Sequence, residues 1–187
     1  METPSITTQR TLKVKINRGA GDGAGEMVTY HIPWRENQTV LDVVTEIQRT
    51  QDPTLSYRFA CRVGVCGSCA MNVNGKPRWT CRTHVSVVED GGSITIEPLR
   101  NMPRIKDLVV SMTEFFDKWK KAGNTFVGTT TRHDPPAAIS PDSKKRKMAN
   151  AAIECINCGV CYAACDVVSW NKDYLGDRKS TRLNSSH

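Results

Sequence analysis

The sequence predicts an α+β chain: a small roll of strands closed on one helix, followed by a shorter helical segment. Three observations carry this. Leu12, Val14 and Ile16 alternate with Lys13 and Lys15, the period of a half-buried strand. Val40, Val43, Val44 and Ile47 recur at helical spacing behind Thr39, with Asp42 at the capping-box distance. Asn74-Gly75 sits between two strand-like runs and is a strong hairpin turn.

In order, a strand begins at Thr11, Gly19 to Gly25 forms a glycine-rich turn, and Met27 to Ile32 is the returning strand. The helix capped by Thr39 follows. Tyr57 to Cys69 is a loop. Ala70 to Val73 and Pro77 to Cys81 flank the Asn74-Gly75 turn, and Ser93 to Glu97 makes a last strand. A second helix is expected from Asp107 to about Ala122, with Leu108, Met112, Phe115 and Trp119 as its core stripe and Gly123 as its cap. Asn124 to Ile139 reads as a linker. Ser140-Pro141 should open a helix running through Lys147 to Ile153, which delivers Cys155. From about Gly176 the string DRKSTRLNSSH continues neither pattern. It reads like a translated sequencing-library adapter, so residues 177–187 are expected to be non-native and the native gene to continue. The expected organisation is one unit over 1–104, a second over 105–176, and this tail.

At 187 residues the chain has room for one large domain or two small ones, yet 39% hydrophobic and 6% aromatic residues make a thin core. No apolar run reaches membrane-span length. The first ten residues lack the apolar centre of a secretory signal. The net charge of +7 is spread along the chain. Its one dense run, Lys144–Lys147, reads as a solvated helix face, so nucleic acid is not an expected partner. A basic surface suits docking to an acidic protein.

Eight cysteines fall into two groups of four. Cys61, Cys66, Cys69 and Cys81 read C-x4-C-x2-C-x11-C, the plant-type ligand spacing of a 2Fe–2S centre. Cys155, Cys158, Cys161 and Cys165 read C-x2-C-x2-C-x3-C, the bacterial spacing of a cubane-type centre. Disulfides fit poorly, because three thiols so close in sequence cannot conveniently find three partners. Zinc is the stronger rival, since C-x2-C pairs are common zinc ligands; it usually takes two separated pairs. A glycine-containing C-x4-C-x2-C loop suits an iron–sulfur rhomb better. Gly64 and Gly67 should let the backbone approach the sulfurs and aim N–H groups at them. Arg58 and Arg62 flank the loop, either adding to that field or serving as surface charges. Cys81 should close the site from the second hairpin strand. In the second group, the first three thiolates bind one cubane and the fourth ligates another cluster. The chain therefore offers four, three and one ligands to three centres, a further reason to expect a longer native protein.

The plant-type loop, then Asp107-Leu-Val-Val with its aromatic stripe, then Glu154-Cys-Ile-Asn-Cys-Gly-Val-Cys-Tyr-Ala-Ala-Cys165 together resemble the iron–sulfur subunit of succinate dehydrogenase and fumarate reductase. The resemblance runs from about Thr11 to Leu175. It implies an N-terminal β-grasp (plant-type 2Fe–2S ferredoxin) domain and an α-helical ferredoxin domain, the latter incomplete. It implies three clusters: 2Fe–2S on Cys61, Cys66, Cys69 and Cys81; 4Fe–4S with Cys155, Cys158 and Cys161; and 3Fe–4S with Cys165. The implied partners are an FAD-containing flavoprotein subunit, membrane anchor subunits and quinone, at the cytoplasmic face of a bacterial inner membrane. Electrons would pass from flavin to quinone, or backwards in fumarate reduction. The family usually has proline after its fourth helical-domain cysteine; here Asp166 stands there. Trp170 matches a quinone-contacting position, with a buried core tryptophan as the alternative.

The chain shows no acid, base or nucleophile constellation, so no catalytic residue is expected and the dicarboxylate chemistry belongs to a partner. His31, His84 and His133 are scattered and read as structural or exposed. The chain as it stands is expected to assemble the first centre but not a full relay. Two other readings are an iron–sulfur subunit of a different flavin-linked dehydrogenase and a zinc-stabilised binding module.

Overall fold

The computed structural model of the protein describes residues 10–122, 133–135, 140–144, 146–147, 150 and 154–175. In chain order these hold β1 (Thr11–Arg18), β2 (Glu26–Pro33), α1 (Val40–Thr50), β3 (Ala70–Val73), β4 (Lys76–Trp79), a 3-10 turn (Thr80–Arg82), α2 (Val85–Val88), β5 (Ser93–Glu97), β6 (Arg104–Lys106), β7 (Val109–Val110) and α3 (Thr113–Lys121). Two short helices, Val160–Ala164 and Asp166–Trp170, follow. Among the described residues no helix is long and apolar enough to cross a membrane.

The five-stranded sheet has the order β2-β1-β5-β3-β4. The β1 and β2 strands pair antiparallel with Leu12 opposite Ile32 and Val14 opposite Tyr30, while β5 lies parallel to β1 with Val14 beside Ile94. Every second residue of β1 thus points the same way, and Leu12, Val14 and Ile16 are all fully buried. The apolar stripe of α1 (Val40, Val43, Val44, Ile47) closes on that face with Ile94 and Ile96. Thr39 caps α1 with the anticipated box: its hydroxyl accepts from the Asp42 N–H, and the Asp42 carboxylate accepts from the Thr39 N–H. A helix grasped by a mixed sheet is the α+β architecture that the strand and helix periods imply.

A second apolar cluster joins Ala70 of β3, Leu99, Met102, Val110, Phe115, Tyr162, Ala163 and Val168. It packs the late helices against the edge of the sheet.

Several expected details differ. The segment from Asp107 does not begin a helix. Residues 104–110 form the β6–β7 hairpin, and α3 starts only at Thr113. Asp107 has φ +48° at the turn, and its buried carboxylate accepts from Arg18 Nε at 2.9 Å, the Gly19 N–H at 3.1 Å and the Ser56 N–H at 2.9 Å. Those bonds hold it as a turn residue, and the β-branched Val109–Val110 pairs with β6. The expected stripe is therefore split: Leu108 enters the first core, while Phe115 and the unforeseen Lys118 form the buried face of α3. Cys81 lies in the 3-10 turn after β4, not in the strand itself. Ser143, not Ser140, caps the next helical turn, its hydroxyl accepting from the Arg146 N–H at 3.2 Å. Lys144, Arg146 and Lys147 of the basic run are exposed. The α2 turn, rich in valine, was not foreseen. Gly123, most of the 124–139 linker, and residues 176–187 lie outside the described residues.

Candidate metal centre

Residues 51–69 connect α1 to β3, and the cysteine loop occupies 57–69 of that stretch. Left-handed backbone at Arg62 (φ +60°), Gly64 (φ +78°) and Gly67 (φ +71°) coils this stretch into a tight loop. Coiling turns peptide N–H groups inward. Val63 and Val65 both donate to Cys61 Sγ at 3.4 Å, Ser68 donates to Cys66 Sγ at 3.5 Å, and Cys81 donates to Cys69 Sγ at 3.5 Å. The Gly64 N–H is aimed at Cys81 Sγ.

The four thiols stand as two pairs. Cys61 and Cys66 share hydrogen bonds on the outer side. Cys69 and Cys81 are buried together beneath Leu41 and Tyr57. The Ser68 hydroxyl first, then neighbouring N–H groups, hold the Cys66 thiol down to about 6. Burial, then the adjacent Cys69, push the Cys81 thiol up to about 11. Among the described residues no three His, Cys, Asp or Glu side chains converge on one ion position. Two pairs ringed by amide donors fit a two-iron centre, which takes two thiolates on each iron. The loop face around the outer pair is apolar and open: Val63 is 60% and Val65 64% exposed. Arg62 folds back with its guanidinium 4.8 Å from the Phe59 ring centroid. Arg58 is not a free surface charge, because its Nη1 donates to the Val110 carbonyl at 3.0 Å.

The second cysteine loop lies directly against the first. A β-carbon on Gly67 would overlap Cys158 Cβ and lie 2.9 Å from Cys158 Cα. A cavity of about 280 Å³ beside this contact is lined by Arg58, Cys66, Ser68, Met112, Asn157 and Cys158. Left-handed Asn157 and Gly159 wrap the second loop. Gly159 is pressed by Met102, where a β-carbon would lie 2.5 Å from Cε. The surrounding chain, then the charges of Cys158 and Cys155, push the Cys161 thiol up, so these three thiols share one locality. Cys165 sits past the helix Val160–Ala164, packed on the second apolar cluster. Asn101 donates to the Tyr162 and Cys165 carbonyls at 3.0 and 2.9 Å, fixing that helix end. Asp166, in the place of the usual proline, starts the last helix and pairs with Arg100 at 2.9 Å. Trp170 is 80% exposed, so the described residues do not bury it in a core. His31, His84 and His133 are exposed.

The family profile described as "2Fe-2S iron-sulfur cluster binding domain" matches residues 11–117. The chain is 33% identical over 173 residues to the fumarate reductase iron-sulfur subunit of Escherichia coli O6:H1, covering 91% of this chain and 70% of that one. The chain belongs to the fumarate reductase and succinate dehydrogenase iron–sulfur subunit family. It is also 35% identical over 169 residues to the fumarate reductase iron-sulfur subunit of Mycobacterium tuberculosis, covering 88% of this chain and 66% of that one. A mitochondrial succinate dehydrogenase iron-sulfur subunit of Oryza sativa subsp. japonica is 38% identical over 138 residues, covering 73% of this chain and 48% of that one. The Mycobacterium smegmatis Sdh1 complex in the apo form contains a chain that superposes with a TM-score of 0.79 at 28% identity, covering 94% of this chain and 74% of that one.

In this iron–sulfur subunit the sequence reading missed the backbone donors and one hydroxyl. Val63, Val65 and Ser68 supply most of the N–H donors, yet any residue type can offer a backbone N–H, so side-chain pattern carries no signal for them. Ser68 also brings a hydroxyl, and a serine inside a cysteine loop is a signal that could have been read. Gly67 was expected to aim its N–H at sulfur, but its role is to let Cys158 approach.

Proposed function

We infer that this chain is the electron-transfer iron–sulfur subunit of a succinate dehydrogenase/fumarate reductase complex, with Cys61, Cys66, Cys69 and Cys81 holding a 2Fe–2S centre. One observation carries the reading: the contact of Gly67 with Cys158 sets the two cysteine loops side by side. A wire needs such adjacency, and isolated structural metal sites do not. Cys155, Cys158 and Cys161 would supply three ligands of a 4Fe–4S centre, and Cys165 one ligand of a 3Fe–4S centre. Such centres, when bound, take up and release single electrons without making or breaking bonds to substrate.

The rest is done by this chain's own residues. The N–H groups of Val63, Val65 and Ser68 stabilise added negative charge on the sulfurs. Leu41 and Tyr57 keep water from the inner thiol pair. Val63, Val65 and Phe59 offer an apolar docking face beside the outer pair, which we assign to the FAD-containing flavoprotein subunit. Exposed Trp170 lies at the opposite end of the chain's sequence of centres, and we assign it to quinone, at a surface held by membrane anchor subunits on the cytoplasmic face of a bacterial inner membrane. The units divide near residue 104, with the β6–β7 hairpin as seam: Leu108 enters one apolar core and Val110 the other.

Anaerobic purification with visible absorption, electron paramagnetic resonance and metal analysis tests this. A coloured protein with a reducible 2Fe–2S signal is expected. A colourless protein carrying stoichiometric zinc would overturn it.

A further inference from the structure

Lys118 lies in the middle of α3, yet its side chain is only 8% exposed. A lysine on a surface helix ordinarily keeps its ammonium in water, because an unpaired buried charge is strongly unfavourable. Here the ammonium donates to the Tyr162 hydroxyl at 2.9 Å, pairs with Glu114 at 3.1 Å, and stands 5.1 Å from the Tyr162 ring centroid. Tyr162 is itself buried, with Phe115 edge-on to its ring at 5.5 Å. Its backbone N–H faces the Cys161 thiol. A single rigid side chain therefore separates a buried cation from the second cysteine group.

We propose that the buried ammonium of Lys118 is a positioning charge that raises the reduction potential of the centre held by Cys155, Cys158 and Cys161. The inference rests on the ligand assignment made above. Glu114 offsets only part of that charge: its carboxylate also accepts from the Tyr162 hydroxyl at 3.4 Å, but its side chain is 50% exposed, so water screens it more than it screens Lys118. Burial alone would push the lysine's pKa down, but the Tyr162 and Glu114 hydrogen bonds outweigh it and the net shift is upward. The ammonium thus stays charged through neutral pH. A thiolate-bound centre becomes one charge more negative when it accepts an electron, and a fixed cation in a low-dielectric setting favours that form. The electron arrives from the neighbouring centre and leaves to the next; no bond at Lys118 forms or breaks.

The test is a redox titration of the native full-length subunit in its assembled complex, wild type and variants alike, following each centre by electron paramagnetic resonance. Lys118→Met should lower the midpoint of the second centre and leave that of the 2Fe–2S centre unmoved. Lys118→Arg should retain the wild-type midpoint, and Glu114→Gln should raise it. A Lys118→Met protein with both midpoints at wild-type values overturns the proposal, as does an equal shift in both. Should Lys118→Met fail to assemble, Glu114→Gln decides, and an unchanged or lowered midpoint there refutes it. A wild-type complex with the first centre but no second-centre signal would instead sink the ligand assignment, and this inference with it.

Discussion

Replacing Gly67 by alanine tests the contact on which the electron path depends. Two separable costs arise. The residue has φ +71°, where any β-carbon is strained by about 1–2 kcal/mol. The new carbon would also lie 2.9 Å from Cys158 Cα. Carbon atoms sit comfortably at about 3.5–4.0 Å, so the loops must part by roughly 1 Å. Forcing a close-packed contact apart costs about 1–3 kcal/mol more, giving about 2–5 kcal/mol in all. Two other glycines separate the costs. Gly75 has φ +75° with nothing within 4 Å of a β-carbon, so Gly75→Ala should cost only the strain, about 1–2 kcal/mol. Gly64 has φ +78°, and its β-carbon would lie 2.8 Å from Arg82 Cγ, on an exposed side chain that can swing away. Gly64→Ala should therefore resemble Gly75→Ala. Urea midpoints of the three variants and the parent, measured anaerobically and compared where the transition slopes agree, give the ranking. If Gly67→Ala is no less stable than Gly75→Ala, the two cysteine loops do not touch, and the adjacency argument fails.

Other outcomes follow from the same geometry. Ser68→Ala removes the hydroxyl bond to Cys66 and should lower the 2Fe–2S midpoint by tens of millivolts. A charge-assisted hydrogen bond is worth about 1.5 kcal/mol, and ~59 mV is a tenfold change for one electron; an upward shift in the titration would contradict the donor role. Asp107→Asn strips the charge that Arg18 and two N–H groups hold, and should cost about 2–3 kcal/mol at pH 7. Burial pushes the Asp107 pKa up, but those hydrogen bonds more than offset it and hold the carboxyl below its usual range. Its contribution is thus complete above the unfolded value of about 3.9 and is lost as pH falls through the lower folded value. The stability gap between parent and variant should shrink only in that acid window, and a gap that is flat with pH down to strongly acid conditions would contradict it. Trp170→Ala should leave stability within about 0.5 kcal/mol, since the side chain is exposed. Quinone reduction by the assembled complex should nevertheless fall, and unchanged quinone kinetics would remove Trp170 from that site.

Much of the fold was legible because periodicity is a local property. The alternation in β1, the Thr39–Asp42 box and the Asn74-Gly75 turn each need only a few neighbouring residues, and each appears where expected. The stretch from Asp107 misled for the opposite reason. Its apolar residues sit at helical spacing, but the Asp107 carboxylate finds Arg18, 89 residues away, and that distant partner makes a turn. In the same way, no local pattern marks Lys118 as buried, because its burial depends on Tyr162, 44 residues along the chain.

Spacing alone set Cys61, Cys66 and Cys69 apart from Cys155, Cys158 and Cys161, because a tight loop turns thiols a few residues apart toward one place. Which thiols form the inner and outer pairs, which amides face them, and how the second loop meets the first at Gly67 were decided only by tertiary structure. Those facts depend on how the sheet, the β6–β7 hairpin and the late helices pack, and packing joins residues that have no sequence relation to one another.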